Sequence, residues 1–389
     1  MKKFAAFLTA LALFCVCLVC VNAIAGSKTE LTSAQMGTWT NTYKYTSYDA
    51  ITANLTKDTI PVFGSSEFNH GKKTKCHPKA VFRHQKLTPM LIGTKFSQSM
   101  THTIELAAIA PKMKLKKAVF IVSPTWFTED GARPEGFAMR FSESEYAAML
   151  RNPNISNGLK MKIAKRTDAL LRSEATVQKC ARKYDSVYLY GTGNAADKLY
   201  CEARQKFIRQ RDYNCVTSAM KVSHIQPGAT KTVTSKVPDW KKLEKEGTVY
   251  AMKKSKNNKF FMYNSYFNKK FKPHMKKMKG KDAKRLFVKS PEYSDLNCFL
   301  EVCKQSGIKP MLVILPLNKY WYDYTKLPMK NRLTVAEKVK KMGKKYGAEV
   351  QDLTSEGSTK YFMQDTVHLS AKGWVSVDES IYNFYKEGI

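Results

Sequence analysis

Three short apolar runs rich in β-favouring residues predict buried strands, at residues 59–63, 118–122 and 311–315. Continuous apolar runs of this length suit strands that are covered on both faces, as in a parallel sheet. Helical patterns lie between these runs, at residues 98–110, 293–305 and 335–346. Strands that alternate with helices predict a doubly wound α/β sandwich.

The middle of the chain, at about residues 142–289, follows a different pattern. Its first half is mostly helical, and residues 253–289 are strongly basic with interleaved aromatic side chains. We interpret this stretch as an insertion into the α/β core that carries a substrate-facing or membrane-facing surface. The alternative is a solvated helical cap whose lysines only maintain solubility. The candidate polyanion-binding residues are Lys253, Lys254, Lys256, Lys259, Lys269, Lys270 and Lys272.

Residues 1–25 have the pattern of a membrane anchor. Lys2 and Lys3 precede an uncharged apolar stretch, which is close to the roughly 20 residues that a helix needs to cross a bilayer. The alternative is a cleaved secretory signal, because small residues stand at Ala23 and Ala25. Both interpretations export the rest of the chain. We therefore expect a single-pass cell-membrane protein with a polar juxtamembrane stalk at residues 26–57 and an extracytoplasmic domain at residues 58–389.

Charge narrows the choice of partner. The chain has 66 lysines and arginines against 32 aspartates and glutamates, a formal net charge of +34. Such a field concentrates anionic partners, and an exported domain meets anionic lipid and wall polymers rather than nucleic acid. Six cysteines follow the anchor, but their pairing does not follow from the sequence. No Cys-x-x-Cys pair occurs after the anchor, and we predict no metal site and no cofactor.

A candidate nucleophile follows the first predicted strand, where Gly64 precedes Ser65 and Ser66. A serine at the end of a buried strand lies at the carboxyl edge of the sheet, where open α/β folds place ligands. A helix that starts there offers free backbone N–H groups to a developing oxyanion. Taken alone, however, Gly-Ser-Ser is also an ordinary turn.

A candidate base lies near the other end of the chain, where Asp365 precedes His368 by three residues. This spacing lets the carboxylate orient the imidazole while the other ring nitrogen faces a serine hydroxyl. The alternative is a helix-capping aspartate beside a surface histidine. His70 is a second, weaker candidate partner for Ser66.

A Gly-x-Gly-x-x-Ala stretch at residues 191–196 matches the dinucleotide-binding fingerprint in spacing. No acidic residue stands at a strand end about 20 residues later, as that fingerprint requires. We therefore do not predict a nucleotide site here.

Gly-x-Ser after the first strand and Asp-x-x-His before the last helix are together the first and last blocks of SGNH hydrolases. The chain resembles, more closely, the DltD family of D-alanyl-lipoteichoic acid biosynthesis proteins. The stretches that carry this resemblance are residues 63–67, 97–99, 123–127, 290–296, 315–325 and 361–374.

The resemblance implies a three-layer α/β/α SGNH-hydrolase-like sandwich with a parallel sheet, the helical basic insertion and the N-terminal membrane helix. By the same resemblance, Ser66 is the nucleophile, His368 the base and Asp365 its orienting partner. The backbone N–H of Ser66 and the region of Ser97 and Gln98 are the oxyanion candidates.

The implied function is esterification of teichoic acid with D-alanine at the outer membrane face, through a D-alanyl-Ser66 ester. The same groups acting on water would make an esterase or thioesterase. The implied partners are the teichoic acid polymer, a D-alanyl carrier protein and a membrane O-acyltransferase. The alternative is a non-catalytic docking subunit that brings these partners together.

Overall fold

Five strands form one parallel sheet in the order β2-β1-β3-β4-β5. The computed structural model describes residues 4–10, 12–13, 16 and 29–387. The strands are β1 Thr59–Phe63, β2 Thr88–Ile92, β3 Lys117–Val122, β4 Lys309–Ile314 and β5 Glu349–Asp352. In this strand order the connections change direction between β1 and β3, and the crevice outside the carboxyl ends at such a point is where open α/β folds bind ligands.

Sixteen α-helices are found in residues 29–387, and we number them in chain order. They are α1 Thr42–Tyr45, α2 Tyr48–Thr52, α3 Pro78–Val81, α4 Ser99–Ile109, α5 Pro134–Ala138, α6 Glu143–Leu150, α7 Asn157–Leu170, α8 Ala175–Tyr188, α9 Ala195–Val222, α10 Trp240–Lys254, α11 Asn264–Tyr266, α12 Met275–Met278, α13 Pro291–Gln305, α14 Lys319–Tyr324, α15 Met329–Lys345 and α16 Ala371–Lys386. Short 3-10 turns occur at Ser66–Asn69, Ala110–Lys112, Pro124–Trp126, Lys272–His274 and Thr354–Ser358, and a π-turn occurs at Phe267–Phe271.

Helices cover both faces of the sheet because successive strand residues point to opposite sides. Phe63 of β1 packs against Phe299 of α13, with ring centroids 5.4 Å apart. Its neighbour Val62 belongs to a separate buried cluster with Val377 and Ile381 of α16. The predicted α/β fold with a parallel sheet is therefore confirmed, and its helices and sheet form three layers.

The two edge strands were not predicted from the hydrophobic pattern. β2 contains Pro89, and proline is tolerated in a sheet at an edge because it lacks a backbone donor. All four residues of β5 are only half-buried, so no apolar run marks that strand. The three predicted strands coincide with β1, β3 and β4 to within two residues at either end.

Residues 123–308, between β3 and β4, hold the helices α5 to α13. Within this stretch α10 packs against α16, where Trp240 and Tyr382 make an edge-to-face contact at 5.7 Å. A Cβ on Gly247 would lie 3.0 Å from the backbone of Ala371, so the two helices approach closely at a glycine. The Gly191 segment joins helix α8 to helix α9, and it therefore lacks the preceding strand that a dinucleotide site requires.

Residues 31–55 differ from the stalk expected at residues 26–57, because they pack against the folded body. Met36 and Ile51 are fully buried. The buried Lys44 donates from Nζ to the carbonyl oxygen of Leu91 in β2, at 2.8 Å. Apolar side chains spaced among the polar ones account for the difference, since Met36, Trp39 and Ala50 form a buried cluster with side chains of helix α9.

The anchor expected at residues 1–25 lies largely outside the described residues. Those of its residues that are described, 4–10, 12–13 and 16, are helical. Nowhere in the described part of the chain does a helix combine the length and the apolar character needed to cross a bilayer.

Candidate active site

The chain leaves β1 through a turn that brings two backbone segments into contact. Gly93, which follows β2, has a φ of +129°, and a Cβ there would lie 1.9 Å from the carbonyl oxygen of Gly64. Only glycine fits this position, because a side chain would have to occupy the space of that oxygen. The loops after β1 and β2 are therefore held against each other beside Ser66.

Two hydrogen bonds made by Ser65 fix the turn that leads into Ser66. The backbone N–H of Ser65 donates to Oε1 of the buried Glu67 at 2.6 Å. The Ser65 hydroxyl donates to the carbonyl oxygen of Thr94, at 3.0 Å. The Ser65 hydroxyl is thus used to hold the loop. Ser66 begins the 3-10 turn Ser66–Asn69 and is partly exposed.

Ser66, His368 and Asp365 form a continuous hydrogen-bonded chain. Ser66 Oγ lies 2.8 Å from Nε2 of His368. On the other side of the ring, Nδ1 of His368 lies 2.8 Å from Oδ2 of Asp365. The second carboxylate oxygen, Oδ1, accepts from the backbone N–H groups of Val367 and His368, both at 2.9 Å. The geometry suits removal of the serine proton by a neutral imidazole.

The pKa shifts of His368 and Asp365 are consistent with His368 accepting a proton. Burial acts to lower the pKa of His368, but the hydrogen bond and negative charge of Asp365 outweigh it, and the pKa is raised above 6.5. Burial acts in turn to raise the pKa of Asp365, yet its bonds to the ring and backbone N–H groups of His368 hold that pKa below its usual value. Asp365 is therefore a carboxylate at neutral pH and stabilises a protonated His368.

His70 stacks on His368 instead of bonding to Ser66. The rings of His70 and His368 lie with centroids 4.1 Å apart and planes inclined by 33°. The amide nitrogen of Gln364 donates to Nδ1 of His70, and the Tyr266 hydroxyl lies 3.0 Å from the same atom. Burial, followed by the nearby His368, lowers the pKa of His70 to about 4. His70 is thus neutral where His368 takes up a proton.

The oxyanion candidates occupy the loop after β2. The side chain of Ser97 is buried, and its Oγ accepts from the backbone N–H of Thr94 at 3.2 Å. Gln98 caps helix α4 without a side-chain hydrogen bond to that helix. Among the described residues, the backbone N–H of Ser66 donates to no protein acceptor. The Ser97 hydroxyl therefore supports the loop, and Ser97 and Gln98 remain predictions as donors.

Comparison with known proteins decides the family. The family model described as DltD protein matches residues 34–386. The chain belongs to the DltD family. It is 33% identical to Protein DltD of Bacillus subtilis (strain 168) over 343 residues, which cover 85% of this chain and 83% of that protein.

Two further relatives of this DltD-family chain are more distant. Protein DltD of Lacticaseibacillus rhamnosus is 29% identical over 345 residues, covering 85% of this chain and 78% of that protein. Protein DltD of Staphylococcus aureus (strain NCTC 8325 / PS 47) is 28% identical over 331 residues, covering 84% and 81%.

The candidate polyanion-binding lysines of this DltD-family chain are all exposed. Lys253 and Lys254 end helix α10, and Lys269 and Lys270 lie in the π-turn. Nζ of Lys270 lies 5.4 Å from the centroid of the Tyr266 ring, and the Tyr266 hydroxyl contacts His70. This part of the insertion therefore borders the candidate site, and the charge of Lys270 acts to lower the pKa of His368.

Three supporting residues were not predicted from the sequence. Glu67 follows the serine pair directly, so its position beside the candidate nucleophile Ser66 could have identified it. Gln364 directly precedes Asp365 and was also near a predicted residue. Tyr266 lies in the basic insertion, about 200 residues from Ser66, and no sequence spacing relates it to the site.

Proposed function

We propose that this DltD-family protein transfers D-alanyl groups to teichoic acid at the outer membrane face, with Ser66 as nucleophile, His368 as base and Asp365 as orienting group. The observation that carries the proposal is the unbroken chain of contacts from Ser66 Oγ through the His368 ring to Asp365, with both links at 2.8 Å. Family membership supports the pathway, and the parallel sheet with the serine at its carboxyl edge supports an SGNH-type enzyme.

In the first half-reaction, Ser66 Oγ attacks the carbonyl carbon of a D-alanyl ester or thioester. Nε2 of His368 removes the hydroxyl proton as the new C–O bond forms. The protonated His368 then gives this proton to the departing alkoxide or thiolate as the bond to the carbonyl carbon breaks. The products are a D-alanyl-Ser66 ester and a free alcohol or thiol.

In the second half-reaction, a hydroxyl of the polymer attacks the carbonyl carbon of the D-alanyl-Ser66 ester. His368 takes the proton of that hydroxyl and returns it to Ser66 Oγ as the acyl–serine bond breaks. Water in place of the polymer hydroxyl gives hydrolysis by the same steps. Transfer therefore depends on a bound polymer that reaches the ester before water does.

His368 becomes positively charged twice in each cycle, and its surroundings favour this charge. Asp365 supplies a buried negative charge 2.8 Å away from Nδ1. The stacked His70 has a pKa of about 4 and so adds no second positive charge near neutral pH. Like charges at this ring separation would oppose protonation of the base.

The proposal includes an extracytoplasmic location with the N-terminal segment retained as an anchor. It also includes the exposed insertion lysines as the surface that faces anionic polymer or lipid, and a D-alanyl carrier protein and a membrane O-acyltransferase as partners. Mass-spectrometric identification of the N-terminal peptide of the membrane-bound protein checks the anchor. A mature chain that starts near residue 26 would show that the segment is cleaved.

The catalytic proposal is tested by labelling with a fluorophosphonate, which forms a covalent bond with an activated serine. We expect labelling of the wild type and none of Ser66→Ala, because the hydroxyl that attacks phosphorus is gone. Ser65→Ala is the matched control and should keep labelling, since the Ser65 hydroxyl bonds to the backbone. Full restoration of polymer D-alanylation in cells by Ser66→Ala would disprove the catalytic role and favour the docking subunit.

A further inference from the structure

A cleft of about 930 Å³ lies at the β2 edge of the sheet. Three segments form its walls, at residues 34–38, 72–89 and 226–232. The third segment is tied to the first by a hydrogen bond from the N–H of Ala34 to the carbonyl oxygen of Ala229, at 2.7 Å. The cleft is therefore a built feature of the domain.

The walls of the cleft are strongly cationic. Its basic lining residues are Lys72, Lys73, Lys75, Lys79, Arg83 and Lys231. Within the described part of the chain, the lining includes no aspartate or glutamate. Three carboxylates lie nearby, since Glu246 is 3.6 Å from Lys75, Asp58 acts on the pKa of Lys231, and Glu30 lies against Gly228. Six cations facing three peripheral carboxylates leave the cleft with a net positive charge.

One of these positive charges, that of Lys231, is partly buried in the wall of the cleft. Its Nζ donates to the hydroxyl of Thr88 at 2.7 Å and to the carbonyl oxygen of Leu87 at 3.1 Å. Both acceptors are neutral, and burial lowers the pKa of Lys231 to about 8. The charge of Asp58 offsets this burial only in part, and an anion in the cleft would add further negative charge near the ammonium group.

The cleft begins close to the nucleophile. Lys72 is six residues from Ser66, so the chain between them spans at most about 20 Å. Nζ of Lys72 donates to Oδ1 of Asn69, the last residue of the turn that Ser66 begins, at 2.7 Å. Its charge also acts on the pKa of His70, which stacks on the base. A chain-like ligand in the cleft would thus extend towards Ser66.

We propose that this cleft binds a linear phosphodiester polymer and presents one of its units to Ser66. The identity of the polymer as teichoic acid rests on the function proposed above, whereas the binding site does not. Phosphate oxygens pair well with lysine and arginine, and several such contacts along one chain make binding strong and dependent on salt.

The lining favours a soluble chain over a lipid surface. None of the large exposed hydrophobic side chains in the described residues lines the cleft. Surfaces that bind lipid usually insert such side chains between the head groups. A concave cleft also accepts a narrow chain but cannot follow a flat bilayer. The cleft is distinct from the surface formed by the seven candidate polyanion-binding lysines, none of which lines it.

The test measures binding of a fluorescent poly(glycerol phosphate) oligomer to the full chain in neutral detergent, by anisotropy. In the cleft variant, Lys73→Gln, Lys79→Gln and Arg83→Gln are combined, and all three side chains are exposed, so packing is preserved. We expect the affinity to fall about tenfold at 0.1 M salt, and the slope of log affinity against log salt to decrease by about 2.

The control variant removes the same charge at the opposite edge of the sheet. It combines Lys330→Gln, Lys341→Gln and Lys344→Gln on helix α15, which packs against β5. We expect less than a twofold change in affinity. Equal losses in both variants would mean that only the overall field matters, and no loss in the cleft variant would mean that the polymer binds elsewhere. Either result would overturn the proposal.

Two further measurements distinguish polymer binding from lipid binding, and the cleft proposal from the catalytic proposal. Short-chain phosphatidylglycerol should not displace the oligomer at equal phosphate concentration, and displacement there would assign the cleft to lipid head groups instead. Ser66→Ala should bind the oligomer as tightly as the wild type. Failure of Ser66 labelling with intact cleft binding would then reject the catalytic proposal alone, while the reverse result would reject the cleft alone.

Discussion

Asp365 serves the candidate site with both of its oxygens. Oδ2 holds the imidazole of His368, and Oδ1 accepts the backbone N–H groups of Val367 and His368. One carboxylate therefore builds the turn that carries the histidine and also orients its ring. The three-residue spacing from Asp365 to His368 follows from this double role, because a longer spacing would separate the two functions.

Replacement of Asp365 by Asn tests the charge while it keeps an oxygen for the backbone bonds. His368 acts as a base only when neutral, so the rate rises with pH through its pKa, which Asp365 holds above 6.5. In Asp365→Asn the pKa of His368 should fall, and the rising limb of the pH–rate profile for a small ester should move to lower pH. We expect kcat to fall by about 10⁴, as when such an aspartate loses its charge in a serine triad.

The matched control is Asp239→Asn, because Asp239 caps helix α10 with its side chain on the N–H of Lys242. The Asp239→Asn variant should change neither the position of the rising limb of the pH–rate profile nor kcat. An Asp365→Asn protein whose rising limb stays in place would show that the carboxylate does not set the pKa of the base.

Sequence reasoning reached Ser66, Asp365 and His368 because each lies in a local pattern of strand end, turn or helix start. It did not find the stacked position of His70, which depends on how residues 70, 266 and 364 meet in space. Short-range spacing carries no information on such a contact. The contacts that support the candidate site were therefore not predictable from the sequence, whereas the three residues that the structure brings together in it were, and their catalytic roles stay a prediction.

At the scale of elements, a buried carboxylate joins two helices on one face of the sheet. Oε1 of Glu292, in the first turn of α13, accepts from the backbone N–H of Ser99, which begins α4, at 2.7 Å. Burial, with the neighbouring Asp295 as the second cause, raises the pKa of Glu292 to about 8. Helix α4 starts just after the candidate oxyanion loop, so this bond also positions that loop.

Replacement of Glu292 by Gln should make the domain less sensitive to alkaline pH. A folded-state pKa that is raised from 4.5 to about 8 gives a stabilising effect that is complete below pH 4.5 and is lost as the pH rises to 8. The side-chain carbonyl of the introduced glutamine accepts the same N–H at every pH. The free energy of unfolding of Glu292→Gln minus that of the wild type should increase by roughly 1–3 kcal/mol from pH 5 to pH 8.

Urea denaturation at both pH values provides the measurement. Glu337→Gln, on the exposed side of helix α15, is the control and should follow the wild type at both. Parallel pH dependence in Glu292→Gln and the wild type would contradict a buried, titrating Glu292.

The strands illustrate which elements a sequence pattern reveals. β1, β3 and β4 lie inside the sheet and are buried on both faces, so each is a continuous apolar run. β2 and β5 are edge strands. β2 contains a proline and β5 is half-buried, so the sequence of neither strand differs clearly from that of a loop. The core of the fold was predictable for this reason, and its edges were not.

At the scale of the whole molecule, the net charge of +34 is distributed over several exposed surfaces. The insertion lysines form one such surface, and helix α10 carries Lys253 and Lys254 at its end. Within the described residues, none of the seven candidate lysines forms an ion pair with a carboxylate. Their charge is thus free to attract an anionic polymer or membrane.

Charge reversal tests whether these lysines act as a binding surface. We combine Lys253→Glu, Lys254→Glu and Lys256→Glu and expect the affinity for poly(glycerol phosphate) to fall about tenfold or more at 0.1 M salt, with a weaker salt dependence. Anisotropy against salt concentration is the measurement. A lowered melting temperature would instead indicate that the insertion supports the fold.

The matched control reverses the charge of Lys330, Lys341 and Lys344 on helix α15. It should weaken binding less than the insertion variant does, because only the long-range field changes. Equal affinities in the insertion variant and the wild type would identify these lysines as a solvated surface that maintains solubility.

The contact between Ser66 and His368 joins positions 302 residues apart in the chain. A ribosome that has made the first nine-tenths of this protein has produced the serine but not yet its base. In the proposed mechanism the serine hydroxyl is a weak nucleophile without that base, so the growing chain would carry no active serine. On that proposal, reactivity begins only when the last helix, α16, has docked on the sheet and brought the turn before it to Ser66, so synthesis and folding set the time at which the proposed chemistry starts.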